Sequence, residues 1–376
     1  MGLMIKDLRG RTWSLGKSVG LGGFGEIYSA VEVTPNKSSP RSQGQYVVKV
    51  EPFNNGPLFV EVNFYLRTCK KDSVVEYKEA KELDHLGVPH IEGSGSFRHR
   101  DKRFRFMVIP RFGTDLQTLI DDSKLTLSPE WASQIACQVV DSYQYIHSKG
   151  FVHKDVKGSN LLFEYSEPKT SSGGRTSRNS SRASSPEPSA PAGGKSGRKI
   201  FLVDYGLVSK YTRVGVHKPY VRDERCAHEG TLEYTARDFH LGCVSRRGDL
   251  EVLLYCVIDW LGGKLPWDLP TMAKPTVVHE AKIKAFHDPS AFMATAFAHW
   301  GERGPPKFLL DLMNYINQLG FEEQPDYDYV RALFKQHSQN TNRYGIQAKM
   351  KLVVLIVEEP NQALKKHVLQ TASRGN

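Results

Sequence analysis

Within eight consecutive residues, His153-Lys154-Asp155-Val156-Lys157-Gly158-Ser159-Asn160, the chain sets an acid, a cation and an amide at D-x-K-x-x-N spacing, directly before the apolar Leu161-Leu162. A solvated loop between a helix and a strand accounts for the polarity of this segment but not for its spacing. Upstream, Ser128 can cap a helix, Pro129 suits its first turn, and Ile135, Val139, Tyr143 and Ile146 recur on one face. Downstream, Leu161 to Phe163 and Ile200 to Val203 look like the two strands of a hairpin whose turn has been expanded, and Asp204 stands at the end of the second, before Tyr205 and Gly206. The fold therefore has to continue across the insert between them.

That insert, residues 166–199, is almost all Ser, Gly, Pro, Ala and Arg, with no bulky apolar side chain whose burial could offset the entropy of ordering it. Disorder is expected there. It also holds +5 of the formal net charge of +10, so the remaining excess permits attraction to acidic partners but makes no binding surface by itself. The 376 residues allow two domains or one two-lobed domain, and 39% hydrophobic with 24% charged residues is the composition of a globular chain with a sizeable core. No apolar run approaches a membrane span, the longest tight one being Leu352 to Val357, and the first residues lack a signal pattern, so a secreted or membrane-spanning chain is not expected. Five scattered cysteines without a C-x-x-C pair argue against a disulfide framework or a zinc site and suit a reducing cytosol or nucleus.

The N-terminal part, to about Phe112, reads as strand-rich: Trp13 to Val19, Glu26 to Val33, Tyr46 to Val50 and Phe104 to Ile109. One helix interrupts it. Pro57 suits a first helical turn, and the following LFVEVNFYLR is apolar on most sides with a single carboxylate, Glu61, which asks for a partner. A second strong helix is expected from about Asp249 to Leu261. A small β-rich lobe followed by a larger α-rich lobe is the implied architecture.

Gly20-Leu21-Gly22-Gly23-Phe24-Gly25 is a G-x-G-x-x-G between two strand-like segments. Followed by a helix, it would mean a dinucleotide fold; followed by Glu-Ile-Tyr-Ser-Ala-Val, a strand, it favours a flap whose backbone amides approach phosphates. Lys49 ends the β-branched run Val47-Val48, and Glu61 follows it by twelve residues. A strand lysine alone usually faces solvent; one opposite a lone acid on an apolar helix reads as an ion pair.

With these four spaced motifs in order, the chain resembles a eukaryotic protein kinase over nearly its whole length. Val47-Val48-Lys49-Val50-Glu51-Pro52, Asn55-Gly56-Pro57-Leu58-Phe59, Arg111-Phe112-Gly113-Thr114-Asp115-Leu116, Val203-Asp204-Tyr205-Gly206-Leu207, Gly215-Val216-His217-Lys218 and Ser245-Arg246-Arg247-Gly248-Asp249-Leu250-Glu251 together resemble the vaccinia-related kinases, within the casein kinase one group. The resemblance implies an α+β, bilobal protein-kinase fold with an ATP cleft between lobes. The domain would span 14–333, with an N-lobe of about 14–109, a hinge of about 110–113 and a C-lobe of about 114–333. Residues 334–376 would form a C-terminal extension.

It also implies roles. Gly20, Leu21, Gly22, Gly23, Phe24 and Gly25 would cover the ATP phosphates. Ile27, Val47, Ile109 and Leu162 would enclose adenine, and main-chain groups of Pro110 and Phe112 would read its edge, Pro110 only as an acceptor. Lys49 would bind the phosphates with Glu61 holding it; Asn160 and Asp204 would hold Mg²⁺, for which Mn²⁺ could substitute. Asp155 would take the substrate hydroxyl's proton and Lys157 would steady the transferring group, a lysine at that place pointing to Ser/Thr protein substrates. Asp249 would be the buried acid anchoring the catalytic loop. Histones or other chromatin proteins would be candidate substrates, in nucleus or cytoplasm. Direct nucleic-acid binding has little support in the residues, and a monomer is expected. A nucleotide-binding pseudokinase scaffold and a chromatin-binding module with a basic insert are the rivals.

The chain departs from the general kinase pattern in three places. Lys154 replaces the Arg whose fork would grip an activation-loop phosphate. Between Leu207 and Gly230 the only Ser or Thr residues are Ser209 and Thr212, so activity without phosphate priming is expected. Ala236-Arg237-Asp238 stands where Ala-Pro-Glu is usual. In the insert, Ser180, Ser181, Ser184 and Ser185 follow arginines and are expected to be phosphorylated.

Overall fold

The computed structural model describes residues 2–22, 25–33, 45–124, 126–165, 198–268 and 274–340, with the backbone alone at 21, 22 and 337–340. An antiparallel six-stranded sheet comes first, built from β1 (Met4–Lys6), β2 (Thr12–Gly22), β3 (Gly25–Val33), β4 (Tyr46–Pro52), β5 (Gly93–His99) and β6 (Lys102–Pro110) in the order β1-β2-β3-β4-β6-β5. The strand period of two decides what β4 does. Val48 and Val50 join Trp13, Phe106 and Val108 in a core on one face. Val47 and Lys49 point to the other face, where Val47 packs with Ile27 and Ile109 in the larger core.

Between β4 and β5 run α1 (Pro57–Thr68) and α2 (Lys71–Ala80). Pro57 opens α1 as the sequence predicts, and Glu51 at the end of β4 accepts the Leu58 amide at 3.1 Å. Leu58, Glu61, Phe64, Tyr65 and Thr68 are buried at helical spacing, so Glu61 faces the sheet. The single helix expected here is in fact two. Helix α2 buries no residue fully; only Val74 and Tyr77 pack partly against the core, too short a stripe to read.

The second lobe consists of α3 (Leu116–Ser123), α4 (Pro129–Ser148), β7 (Phe151–Val152), β8 (Leu161–Phe163), β9 (Ile200–Leu202), β10 (Ser209–Lys210), β11 (Thr212–Arg213), β12 (Val216–His217), α5 (Arg237–His240), α6 (Arg246–Trp260), α7 (Pro275–His287), α8 (Pro289–Ala296), α9 (Lys307–Gln318) and α10 (Tyr327–Asn340). Ser128 caps α4 through its Oγ, 3.3 Å from the Trp131 amide. Strands β8 and β9 form the expected hairpin, Leu161 opposite Leu202 and Phe163 opposite Ile200. Residues 166–197 of the insert, and with them the four serines, lie outside the described residues. Arg198 and Lys199, assigned to the disordered insert by composition, belong to the hairpin base: Glu164 N–H donates to the Lys199 carbonyl at 3.1 Å and the Arg198 guanidinium lies over Trp131.

Helix α6 begins at Arg246, earlier than expected, because Ser245 caps it by accepting the Gly248 amide at 3.1 Å. Its apolar surface has no single face; it runs through the core buried nearly all round. The sheet starts at Met4, ahead of Ser14, and α10 continues past Leu333 with Phe334 fully buried and Arg331 paired to Asp141 of α4 at 2.9 Å. Residues 341–376 lie outside the described part. Arg100 and Asp101 make the turn joining β5 to β6, with His99 opposite Lys102 and Phe97 opposite Phe104.

Candidate active site

Lys49 and Glu61 meet where β4 and α1 face each other. Lys49 Nζ is 2.8 Å from Glu61 Oε2 and 3.0 Å from Asp204 Oδ1, and Glu61 Oε1 accepts the Tyr205 amide at 3.2 Å. Burial opposes charge on Lys49, but the two carboxylates beside it outweigh that and hold its ammonium above the ordinary lysine range. For Glu61 burial wins and raises its carboxyl; for Asp204, less enclosed, the Lys49 ammonium overcomes burial and lowers it. The helix is thus docked with its acid on the strand lysine. Tyr205 fixes that docking: its ring stacks on Phe64 at 4.4 Å and meets Tyr65 and His153 edge-on at 5.2 and 4.9 Å. One aromatic column joins α1, the residue after Asp204 and the catalytic loop.

Across the cleft, the loop from His153 to Asn160 hangs on Asp249. This carboxylate, wholly buried near the start of α6, accepts the amides of His153 and Lys154 and the Nε2 of His147, each at 2.8 Å. The anchor role expected of Asp249 is what the structure shows. Asp155 is then locked in place. Its Oδ1 accepts both the Thr231 amide at 2.9 Å and the Thr231 hydroxyl at 2.7 Å, while Lys157 Nζ lies 3.1 Å from Oδ2 and 2.9 Å from Thr231 Oγ1. Asn160 Nδ2 donates to the Asp155 carbonyl at 2.8 Å, which leaves its amide oxygen as the acceptor end.

The other sequence-predicted residues that the structure describes fall around the same cleft. Ile27 pairs with Lys49 and Val47 with Ile109 across the sheet, so these three apolar side chains line its roof. Leu162 in β8 sits below, paired to Phe201. Pro110 ends β6 opposite Tyr46, and the Phe112 ring lies 4.5 Å from that of Phe201. Gly20, Leu21 and Gly22 end β2, with Leu21 opposite Glu26 and Gly22 opposite Gly25. Gly23 and Phe24 lie outside the described residues. Gly25 has a packing reason of its own, since a β-carbon there would run into the Val50 carbonyl.

Asn160 and Asp204 offer oxygen donors, the chemistry a hard divalent cation takes, and among the described residues no cluster of three or more His, Cys, Asp or Glu makes a cage. Two protein oxygens fit an ion held jointly with nucleotide phosphates better than a self-sufficient metal site.

Sequence reading missed Thr231, which meets both Asp155 and Lys157, and Glu229, which pairs with Lys154. Gly230 stands between them with φ of +108°, a conformation that residues bearing a side chain rarely adopt, but the residues alone do not show that angle. The departure at Ala236-Arg237-Asp238 is also a working anchor. Arg237 pairs with Glu251 at 3.1 Å, and Asp238 accepts Arg247 Nε at 2.8 Å and Ser245 Oγ at 2.6 Å.

A bilobal fold with this lysine, acid and loop geometry defines a protein kinase domain, and the protein kinase domain family matches residues 13–238. The chain belongs to the vaccinia-related kinase family of serine/threonine protein kinases. It is 32% identical over 337 residues to the B1 kinase of vaccinia virus (strain Copenhagen), covering 89% of this chain and 97% of that one. It is 36% identical over 334 residues to nucleosomal histone kinase 1 of Drosophila melanogaster and 33% identical over 338 residues to serine/threonine-protein kinase VRK2 of Homo sapiens, each covering 89% of this chain. It spans 49% and 59% of the length of those two relatives. The solved structure of vaccinia related kinase 3 superposes with a TM-score of 0.71 at 28% identity, covering 91% of this chain and 92% of the other.

Proposed function

We propose that this chain transfers the γ-phosphoryl group of ATP to serine and threonine hydroxyls of proteins, and that it does so without priming phosphorylation of its activation segment. The observation that carries the reading is the closed set of contacts Lys49 to Glu61 and Asp204 on one side of the cleft and Asp155 to Thr231, Lys157 and Asn160 on the other. Adenine would lie between Ile27, Val47 and Ile109 above and Leu162 below, its edge read by main-chain groups of Pro110 and Phe112. The glycine-rich turn from Gly20 to Gly25 would cover the phosphates, with Lys49 on the α- and β-groups.

The substrate hydroxyl would approach the Asp155 carboxylate, whose Oδ1 is held by Thr231, so that the carboxylate takes the proton as the oxygen bonds to phosphorus and the bridging oxygen leaves with ADP. Lys157 would offset charge on the transferring group. Asn160 and Asp204 would hold Mg²⁺, or Mn²⁺ in its place, which when bound neutralises phosphate charge.

Histones or other chromatin proteins are the proposed substrates. The name of nucleosomal histone kinase 1 supports this, for that relative acts on histones by its title. The chain would then work in the nucleus, the cytoplasm or both, as a monomer. Among the described residues no helix is long and apolar enough to cross a membrane. Incubation with labelled ATP and Mg²⁺ and a histone or casein mixture tests the reading: label should pass to serine and threonine with the wild-type chain and fail to with Lys49→Met. Equal labelling by both, or none by the wild type, would refute it.

A further inference from the structure

Lys154 is a charged residue placed where water cannot reach it, with only 2% of its surface exposed. Its backbone lies in the left-handed region at φ of +73° with its amide bound to Asp249 Oδ1 at 2.8 Å, which sets the direction in which the side chain leaves the loop. That direction ends on the Glu229 carboxylate, two residues before the threonine that holds Asp155. An unpaired buried ammonium would be costly, so the pair holds Glu229 firmly to the loop.

The arrangement is a two-point clasp between adjacent residues of the catalytic loop and one short stretch of the segment opposite. Lys154 takes Glu229, and Asp155 takes the amide and hydroxyl of Thr231. Gly230 makes both contacts available at once. Its φ of +108° reverses the chain between them, and a β-carbon there would come within 2.9 Å of the Lys154 carbonyl. The stretch is tied down further on, where the Thr235 hydroxyl donates to the Thr231 carbonyl at 2.9 Å.

We propose that Glu229, acting through Lys154, is a positioning residue that supplies from the chain's own sequence the anion an activation segment otherwise gains by phosphorylation, and so holds Thr231 and Asp155 in register for transfer. Phosphorylation orders such segments by adding negative charge opposite a cation beside the catalytic acid. Here the cation is Lys154 rather than a forked guanidinium, and a single carboxylate matches a point charge without the bidentate geometry a phosphate and arginine would use. The inference rests on the kinase reading above and adds to it the reason no priming is needed.

The test compares wild type, Glu229→Gln, Glu229→Asp and the double variant Lys154→Met with Glu229→Gln, each treated with a broad-specificity protein phosphatase before assay. Thermal midpoint, ATP dissociation constant and the split between kcat and KM are read for each. Phosphatase should leave wild-type activity unchanged. Glu229→Gln should lower kcat by roughly ten-fold or more with the ATP dissociation constant unchanged, and Glu229→Asp should recover most of the loss. The double variant buries no unpaired charge, so its thermal midpoint should return towards that of wild type while kcat stays low. Wild-type kcat in Glu229→Gln or in the double variant, or loss of wild-type activity on phosphatase treatment, would overturn the proposal. A wild-type chain that transfers no phosphoryl group at all would instead refute the kinase reading on which it stands.

Discussion

Asp249 holds the amide of His153 at 2.8 Å across 96 positions of chain, and this contact seats the catalytic loop on the helical core. The same carboxylate takes the Lys154 amide and His147, so three donors depend on one buried acid. Asp249→Ala would leave all three unpaired. It should lower unfolding free energy by about 3 kcal/mol or more, read from urea denaturation at neutral pH, with Asp249→Asn in between. A variant indistinguishable from wild type would show that the loop is held by other means.

Thr231 bridges Asp155 and Lys157 through one hydroxyl. Thr231→Ala should lower kcat by about ten-fold while leaving ATP affinity alone, because the lost bonds orient the acid and touch no nucleotide. Thr231→Ser, which keeps the hydroxyl, should stay near wild type in steady-state assays. An equal loss in both would assign the effect to the threonine methyl and its packing.

Lys282 of α7 donates to the carbonyls of Leu232 and Thr235, pinning the stretch just past Thr231, and its ammonium lies over the Tyr255 and Trp267 rings. Burial pushes it down to about 7 from 10.5, more than the distant Glu251 and Glu233 can restore. Above pH 7 the unfolded chain keeps a proton that the folded chain releases, so this lysine's contribution to stability grows as pH rises towards 10.5. Relative to Lys282→Met, the wild type should gain about 2 kcal/mol between pH 7 and pH 9, measured by denaturant titration at each pH. A pH-independent difference would show that the lysine keeps an ordinary proton affinity in the fold.

What could be read from residues alone was what local chemistry dictates. Pro57, a lone Glu61 on an apolar helix and Lys49 at the end of a β-branched run announce a pairing, and the structure brings these side chains to 2.8 Å. Ser128 and Pro129 announce α4, and two apolar runs flanking a Ser/Gly/Pro stretch announce a hairpin. Elements without an apolar signature stayed hidden. Strand β5 opens Gly93-Ser94-Gly95 and reads as a turn, yet Gly95 is bare because a β-carbon there would meet the Phe106 ring at 2.8 Å. Strand β1 is three residues long, and α2 has no fully buried residue. Thr231 and Glu229 escaped for another reason: their partners lie about 75 residues away, and nothing local marks a residue whose work is done at that distance.

In the proposed reaction Asp155 takes the proton as the phosphoryl group moves to a protein hydroxyl. The most direct measurement of this step is single-turnover transfer of the γ-phosphoryl group by Asp155→Asn beside wild type, with ATP affinity measured on the same samples. Asparagine keeps the shape and loses the base, so transfer should slow by about 100-fold or more with ATP bound as before. Transfer at the wild-type rate by Asp155→Asn would show that no base at this position is needed.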